Sequence, residues 1–192
     1  MTYKVYYPNV FKALSEIEIR RIDEYLNILT SGFFELTNEK REELTNDYVK
    51  NDPEYQDTLS DELNNLEDVF KYGELLLILG LYRSVELIQK NIFIRYVPGI
   101  NERSLSYFKN LSTSYNNVTH KNIADLPFHE SVNELRLINN CIKHSGKVDD
   151  DLSNYNGWVE GQEIVSVKNK YNNLKKDIPK YLYDLADSFE KA

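Results

Sequence analysis

A chain of 192 residues, 41% of them hydrophobic, has enough material for one ordinary domain with a real core and is too apolar to remain disordered. Its formal net charge of −8 excludes a general-purpose nucleic-acid binder, because phosphate neutralisation needs Lys and Arg, so any RNA contact must come from a local basic patch. A single cysteine, Cys141, rules out an intrachain disulfide and a multi-cysteine zinc site; together with the lack of a basic-then-apolar leader over Met1 to Pro8 it points to a reducing, cytoplasmic setting.

Glycine and proline are scarce, which favours long helices over many-turned β structure. Residues 2–7 alternate weakly and are rich in Tyr and Val, so a short strand or extended arm stopped by Pro8 is expected. From about Asn9 to Thr30, Phe11, Leu14, Ile17, Ile22, Leu26 and Leu29 fall at helical spacing, with Gly32 as the stop. A short polar helix, read as a solvated face, follows from Thr37 to about Lys50, and Asn51-Asp52-Pro53 marks a turn. The longest periodic segment runs from about Thr58 to Tyr96, roughly 55–60 Å at the helical rise, with Leu59, Leu63, Leu66, Phe70, Leu77, Val85, Ile88 and Ile92 in its stripe. Gly73 or Gly80 is the expected break, and Val97-Pro98-Gly99 the end. The apolar run Leu75–Tyr82 is far below the roughly 20 residues that span a membrane.

The polar stretch 100–126 predicts a short helix over Ser104–Leu111 and then a loop. Pro127 suits the first turn of a helix running to about Ser145, with Gly146 just beyond its end. After a loop rich in Asp and Asn, residues 163–167 read as a strand pairing with residues 2–7. A last amphipathic helix, Lys168–Lys191, carries Leu174, Ile178, Leu182, Leu185 and Phe189 on one side and a kink at Pro179. The expected fold is all-α: a bundle of four to five main helices with a minor two-strand element, in one domain over 1–192 whose residues 1–55 form an extension packed on a core of 56–192.

The helix over residues 128–145 holds the candidate chemistry. Val132, Leu135, Ile138, Cys141 and Ile142 spread over one side, whereas Arg136, Asn140 and His144, at i, i+4 and i+8, share a stripe on the other. His129 and Asn133 extend that stripe and Lys143 borders it. Successive members stand roughly 6 Å apart, so one phosphate can touch two neighbours but hardly all three, and a second copy across a dimer would complete the cleft. Metal-independent RNA cleavage needs a base for the 2′-hydroxyl, an acid for the leaving 5′-oxygen and a cation for the phosphorane charge. His serves as acid or base near neutral pH, Arg holds phosphate, and Asn orients either. His144 lies in the last turn, where the helix dipole favours its protonated form.

The run Leu135-Arg136-Leu-Ile-Asn139-Asn140-Cys-Ile-Lys143-His144, preceded by a long apolar helix, resembles the HEPN superfamily over residues 60–190. Members are α-helical bundles, often dimeric, and many are ribonucleases of toxin–antitoxin or antiviral defence systems. Their motif is an arginine, usually followed by Asn, Asp or His, with four to six residues before a histidine. Here seven residues separate Arg136 from His144, and Asn139 and Asn140 stand where the closest-spaced motif has its arginine and polar residue. The resemblance implies a metal-independent endoribonuclease without cofactor, with His144 as acid/base, Arg136 as phosphate-binding cation and Asn140 as orienting group, flanked by binding residues Asn139, Lys143 and His129. The implied partners are RNA and a second copy of the chain.

Two other readings stay open: a non-catalytic HEPN-like module that dimerises or holds a protein partner, and a helical scaffold whose stripe is only a polar face. Arg136 could equally pair with Glu130, Glu134 or Glu86, and His144 could cap a carbonyl. His120, His129 and His144 have no metal-ligand spacing, so no metal is expected. Lys168, Lys170, Lys175, Lys176 and Lys180 make the last helix basic, either a solvated face or a dock for an acidic ligand. Among fifteen tyrosines, Tyr115, Tyr155 and Tyr171 are expected to be exposed for partner contact or base stacking.

Overall fold

A computed structural model describes residues 6–45, 52–106 and 108–192. The chain is all-α, with six α-helices and two 3-10 turns among the described residues. Helix α1 (Tyr7–Leu44) opens with Pro8 in its first turn, where a missing N–H goes unnoticed. The expected stop at Gly32 does not occur, and the two helices expected on either side of it are one. Tertiary packing outweighs the roughly 1 kcal/mol that glycine costs a helix: Phe33 stacks on Phe70 at 4.3 Å, and the Thr37 hydroxyl turns back onto the Phe33 carbonyl at 2.5 Å.

Helix α2 (Pro53–Tyr96) starts at an Asp52 cap, whose carboxylate accepts from the Tyr55 N–H at 3.2 Å, with Pro53 just inside. It returns antiparallel along α1, as Lys40 pairs with Glu62 at 2.7 Å near one end and Arg95 lies 4.0 Å over the Tyr7 ring at the other. Neither Gly73 nor Gly80 breaks it. Gly73 is instead a point of close approach: a β-carbon there would lie 2.4 Å from Leu29 Cδ2, so any larger residue must displace the Leu29 side chain. At Gly80 the nearest atom, Ile22 Cδ1, is 3.7 Å away.

A 3-10 turn (Glu102–Ser106) leads into α3 (Phe108–Thr119), which continues well past the expected end at Leu111. Its Asn/Ser/Thr-rich composition hides a stripe of Leu111 and Tyr115, both buried, with Tyr115 edge-on to Phe189 at 5.4 Å. After a second 3-10 turn (Ile123–Asp125) come α4 (His129–His144), the single turn α5 (Asp150–Ser153) and α6 (Lys168–Glu190). Pro179 lies within α6 and is buried.

Helix α6 runs antiparallel to α1 and parallel to α2. The Asp23 carboxylate of α1 accepts from the Tyr171 hydroxyl at 2.9 Å and pairs with Lys175 at 2.7 Å, while the Tyr6 hydroxyl reaches Asp187. On the α2 side, Gln89 Nε2 donates to the Tyr181 hydroxyl and Tyr96 to Glu190. The expected stripe of α6, Leu174 through Phe189, is buried, and one contiguous hydrophobic cluster joins it to Phe11, Ile19 and Leu26 of α1 and to Val132, Leu135 and Ile138 of α4.

The expected pairing of residues 2–7 with 163–167 is not seen. Tyr7 belongs to α1 and residues 2–5 lie outside the described residues; Glu163 instead makes a single antiparallel bridge to Lys147. Gly146, at φ +68°, reverses the chain beyond α4, so residues 146–148 lie beside 162–164, with Ile164 N–H donating to Gly146 at 2.9 Å.

The two helical glycines of α2 should respond oppositely to substitution. Gly73→Val is expected to cost about 1–3 kcal/mol by driving Leu29 aside. Gly80→Ala is expected to gain up to about 1 kcal/mol from helix propensity. Denaturant unfolding of both variants measures the pair; equal effects would contradict the seam described above.

Candidate functional site

Helix α4 is held at its N-terminal end by burial and along one flank by two polar anchors. Phe128, before its first residue, adopts a left-handed φ of +62°, turning the chain so that His129 enters the interior. The Ser131 hydroxyl donates to Asp177 of α6 at 2.9 Å. Glu134, nearly buried, accepts from the Trp158 indole at 2.8 Å and pairs with Lys170 of α6 at 2.7 Å. The second anchor follows the candidate stripe itself: Tyr155 donates to Glu130 at 2.9 Å, Asn133 Nδ2 donates to the Tyr155 hydroxyl at 2.7 Å, and Asn133 Oδ1 accepts from Arg136.

Arg136 is half-buried and gives both Nε and Nη2 to Asn133 Oδ1, at 3.1 and 2.9 Å. The guanidinium therefore leans toward the N-terminus of α4, the direction helical side chains favour. His144 is exposed at the other end, roughly 12 Å further along the axis at the helical rise. Asn140 is half-buried between them. The described geometry thus gathers Arg136 with Asn133, Tyr155 and Glu130, and leaves His144 with its neighbour Lys143, whose ammonium stands 5.8 Å from the Tyr82 ring.

The two other candidate binding residues are interior. Asn139 is 1% exposed; its Nδ2 lies 3.5 Å from Asn140 Oδ1 and its own Oδ1 meets no donor among the described residues. His129 is buried beside the Tyr181 ring, and that burial pushes its pKa below the ordinary 6.5. Neither offers a side chain to a large ligand.

A partly open cavity of about 30 Å³ is lined by Tyr82, Glu86 and Gln89 of α2, Leu105 of the first 3-10 turn, Leu111 of α3, and Val132, Asn133 and Arg136 of α4. It has room for a water molecule or two and none for a nucleotide. Burial pushes the Glu86 carboxyl up, but ion pairs with Lys90 and Arg83 outweigh that and hold it below its ordinary value. Burial, then the nearby Glu86 charge, raises the Tyr82 hydroxyl. Of these α2 residues, Glu86 is one that the sequence offers as an acidic partner for Arg136, whereas Tyr82 and Gln89 lie outside a motif search centred on α4. The signal for Glu86 and Gln89 is that they are polar within the apolar stripe of Val85, Ile88 and Ile92.

Several expected surface features are not surface. Tyr115 and Tyr171 are fully buried, the first against Phe189 and the second bonded to Asp23, because both fall on the inward stripes of their helices. Tyr155 is half-buried in the α4 anchor. Of the basic strip of α6, Lys170 pairs with Glu134, Lys175 with Asp23 and Lys180 with Asp177, while Lys175, Lys176 and Lys180 line an open surface groove with Lys12 and Arg20 of α1. Among the described residues no group of three His, Cys, Asp or Glu side chains could hold a metal ion, and no helix is long and apolar enough to cross a membrane. No protein-family model, curated protein or solved structure matches the chain.

Because the fold depresses the pKa of His129, it binds fewer protons than the unfolded chain. The stability this confers is complete above the unfolded value of 6.5 and is lost as pH falls through it toward the folded value. Thermal unfolding should therefore show a steeper loss of Tm between about pH 7 and 5 in the wild type than in His129→Gln. Identical slopes would contradict a buried, neutral His129.

Proposed function

We propose that the chain is a HEPN-like helical module that works by binding, through dimerisation or by holding a protein partner, and that a single copy does not cut RNA. The bonding of Arg136 Nε and Nη2, two of the three guanidinium nitrogens, to Asn133 Oδ1 carries this reading. A phosphorane-stabilising cation has to stand within hydrogen-bond reach of the same phosphate that the acid or base serves. Arg136 leans away from His144 by about two helical turns and is tied into the polar chain that anchors α4. In this reading Arg136 is a positioning residue, and the buried Asn139 is part of the packing of α4.

A second reading is favoured by one observation: His144 and Lys143 are exposed side by side at the free end of α4, with Asn140 one turn behind. In that arrangement His144 is the acid/base of a metal-independent endoribonuclease of defence or toxin–antitoxin type, and a second copy supplies the missing cation. A cytoplasmic setting suits either reading, since the lone Cys141 is a buried thiol.

The two readings separate in one assay. Purified protein and His144→Ala are incubated with a mixed RNA pool in EDTA, and the ends are analysed. The binding reading expects no cleavage above a buffer control. Cleavage leaving 2′,3′-cyclic phosphate ends, lost at least about tenfold in the variant, would overturn it and establish His144 as a catalytic residue.

A further inference from the structure

The outer side of the α1–α2 hairpin carries an unusual amount of exposed apolar surface, arranged with a period. On α1, Val10, Leu14, Ile17, Tyr25, Ile28 and Leu36 are exposed at steps of three, four, seven or eight residues, which place them in one stripe. On α2, Val69, Tyr72, Leu76, Leu87 and Ile94 form a second stripe in the same way. Exposure is substantial, reaching 74% at Ile28, 68% at Tyr72 and 62% at Val69. Singly scattered apolar residues need no explanation, but two aligned stripes on adjoining helices do.

Both stripes border the same seam. On α1 the stripe lies on the opposite side of the Ile22–Leu29 line, which meets α2, from Asp23, which meets α6. On α2 it lies on the opposite side of the Gly73–Gly80 line, which meets α1, from Gln89, which meets α6. A surface groove lined by Leu36 and Lys40 of α1 and by Leu66 and Val69 of α2 joins the two stripes at the distal end. Together they make one two-helix face, turned away from α6.

We propose that this face is the interface with a second copy of the chain, closing an antiparallel four-helix arrangement around a two-fold axis parallel to the helices. The proposal rests on the binding reading above and names its partner; the cleavage assay scores that reading separately. Size is the first argument. The stripes run about 40 Å, and two packed helices are about 20 Å wide, giving about 800 Å² per copy, which is what a stable interface of standard size buries on each side.

Self-complementarity is the second argument. The hairpin register sets Ile28 level between Tyr72 and Leu76, and Leu87 level between Leu14 and Ile17. A two-fold axis along the helices lays each α1 on the partner's α2 at the same level, so that the side chains of one stripe enter the gaps of the other and every helix gains an antiparallel neighbour. Charge is the third. The stripes also carry Glu18, Arg21 and Glu35 on α1 and Arg83 and Lys90 on α2, of which Arg21 is paired with Glu18 at 2.6 Å, and Arg83 and Lys90 with Glu86 at 3.0 and 2.9 Å. Two such faces meet without a block of like charge, despite the acidic balance of the whole chain.

Sedimentation velocity on the full chain at about 50 µM tests the assignment. Wild type should sediment as a dimer of the 22.6 kDa chain and remain so in about 1 M NaCl, because apolar burial is not screened by salt. Ile28→Glu with Leu76→Glu should weaken self-association on the order of a hundredfold while leaving the helical circular dichroism unchanged, since both positions are solvent-facing in one copy. Lys143→Ala with His144→Ala should remain dimeric. An equimolar mixture of Arg21→Cys and Arg83→Cys chains should cross-link on mild oxidation more than either chain alone, which tests the arrangement without introducing charge into the face. A monomeric wild type would overturn the assignment and point to a helix of another protein as occupant. Dimers that survive the double glutamate variant, or that the α4 variant dissolves, would overturn it as well.

Discussion

Leu29 lying over Gly73 fixes how α1 sits on α2, and the other surfaces of the molecule are laid out from that register. The contact sets Leu29 against a position without a side chain, and the Phe33–Phe70 stack, the Lys40–Glu62 pair and Arg95 over Tyr7 hold the same register along the seam. With it in place, Asp23 stands where it can receive both Tyr171 and Lys175, and Gln89 where it meets Tyr181. Helix α6 is thereby bonded to both arms of the hairpin by buried or half-buried polar groups, whose unmatched alternatives would cost about 1–3 kcal/mol each. Burial of its apolar stripe supplies the driving force, and these bonds select the register.

Helix α4 packs against that frame and is held differently on its two sides. Its apolar side joins the common core through Val132, Leu135 and Ile138. Its polar side is clamped by a hydrogen-bond chain running from Arg136 through Asn133 and Tyr155 to the Glu130 carboxylate, which accepts, and by Glu134 between Trp158 and Lys170. The outcome is a helix whose stripe is half-buried around Asn133, Arg136 and Asn140 and exposed at Lys143 and His144. A stripe that reads on a wheel as one surface is physically two: a structural half around Arg136 and an exposed half at Lys143 and His144.

Helical periodicity made α2, α4 and α6 legible, because their inward residues are large and apolar and their ends carry Pro53, Gly146 or a polar cap. It failed where propensity and packing disagree. Gly32 reads as a stop, yet the stacking of Phe33 on Phe70 of α2 holds the helix through it. The stretch around Leu111 and Tyr115 reads as loop because Asn, Ser and Thr surround the two residues that are buried. For the site, spacing located the residues on one helix, whereas the direction of Arg136 depends on Tyr155, which is distant in sequence and reached only through the turn after α4. The contribution of α2 through Tyr82 and Gln89 is likewise a matter of tertiary register, which a motif on another helix cannot convey.

The division of the α4 stripe turns on whether Arg136 is held by Asn133 in solution. Nitrogen-15 NMR of the arginine Nε–H groups addresses this directly. A guanidinium that is half-buried and gives Nε to a fixed acceptor should show a resolved Nε–H resonance at neutral pH, with hydrogen exchange slower than the exposed arginines and restored to their rate by Asn133→Ala. An Arg136 Nε–H that already exchanges as fast as Arg21 or Arg83 in the wild-type protein would contradict that division and return the guanidinium to the stripe shared with His144.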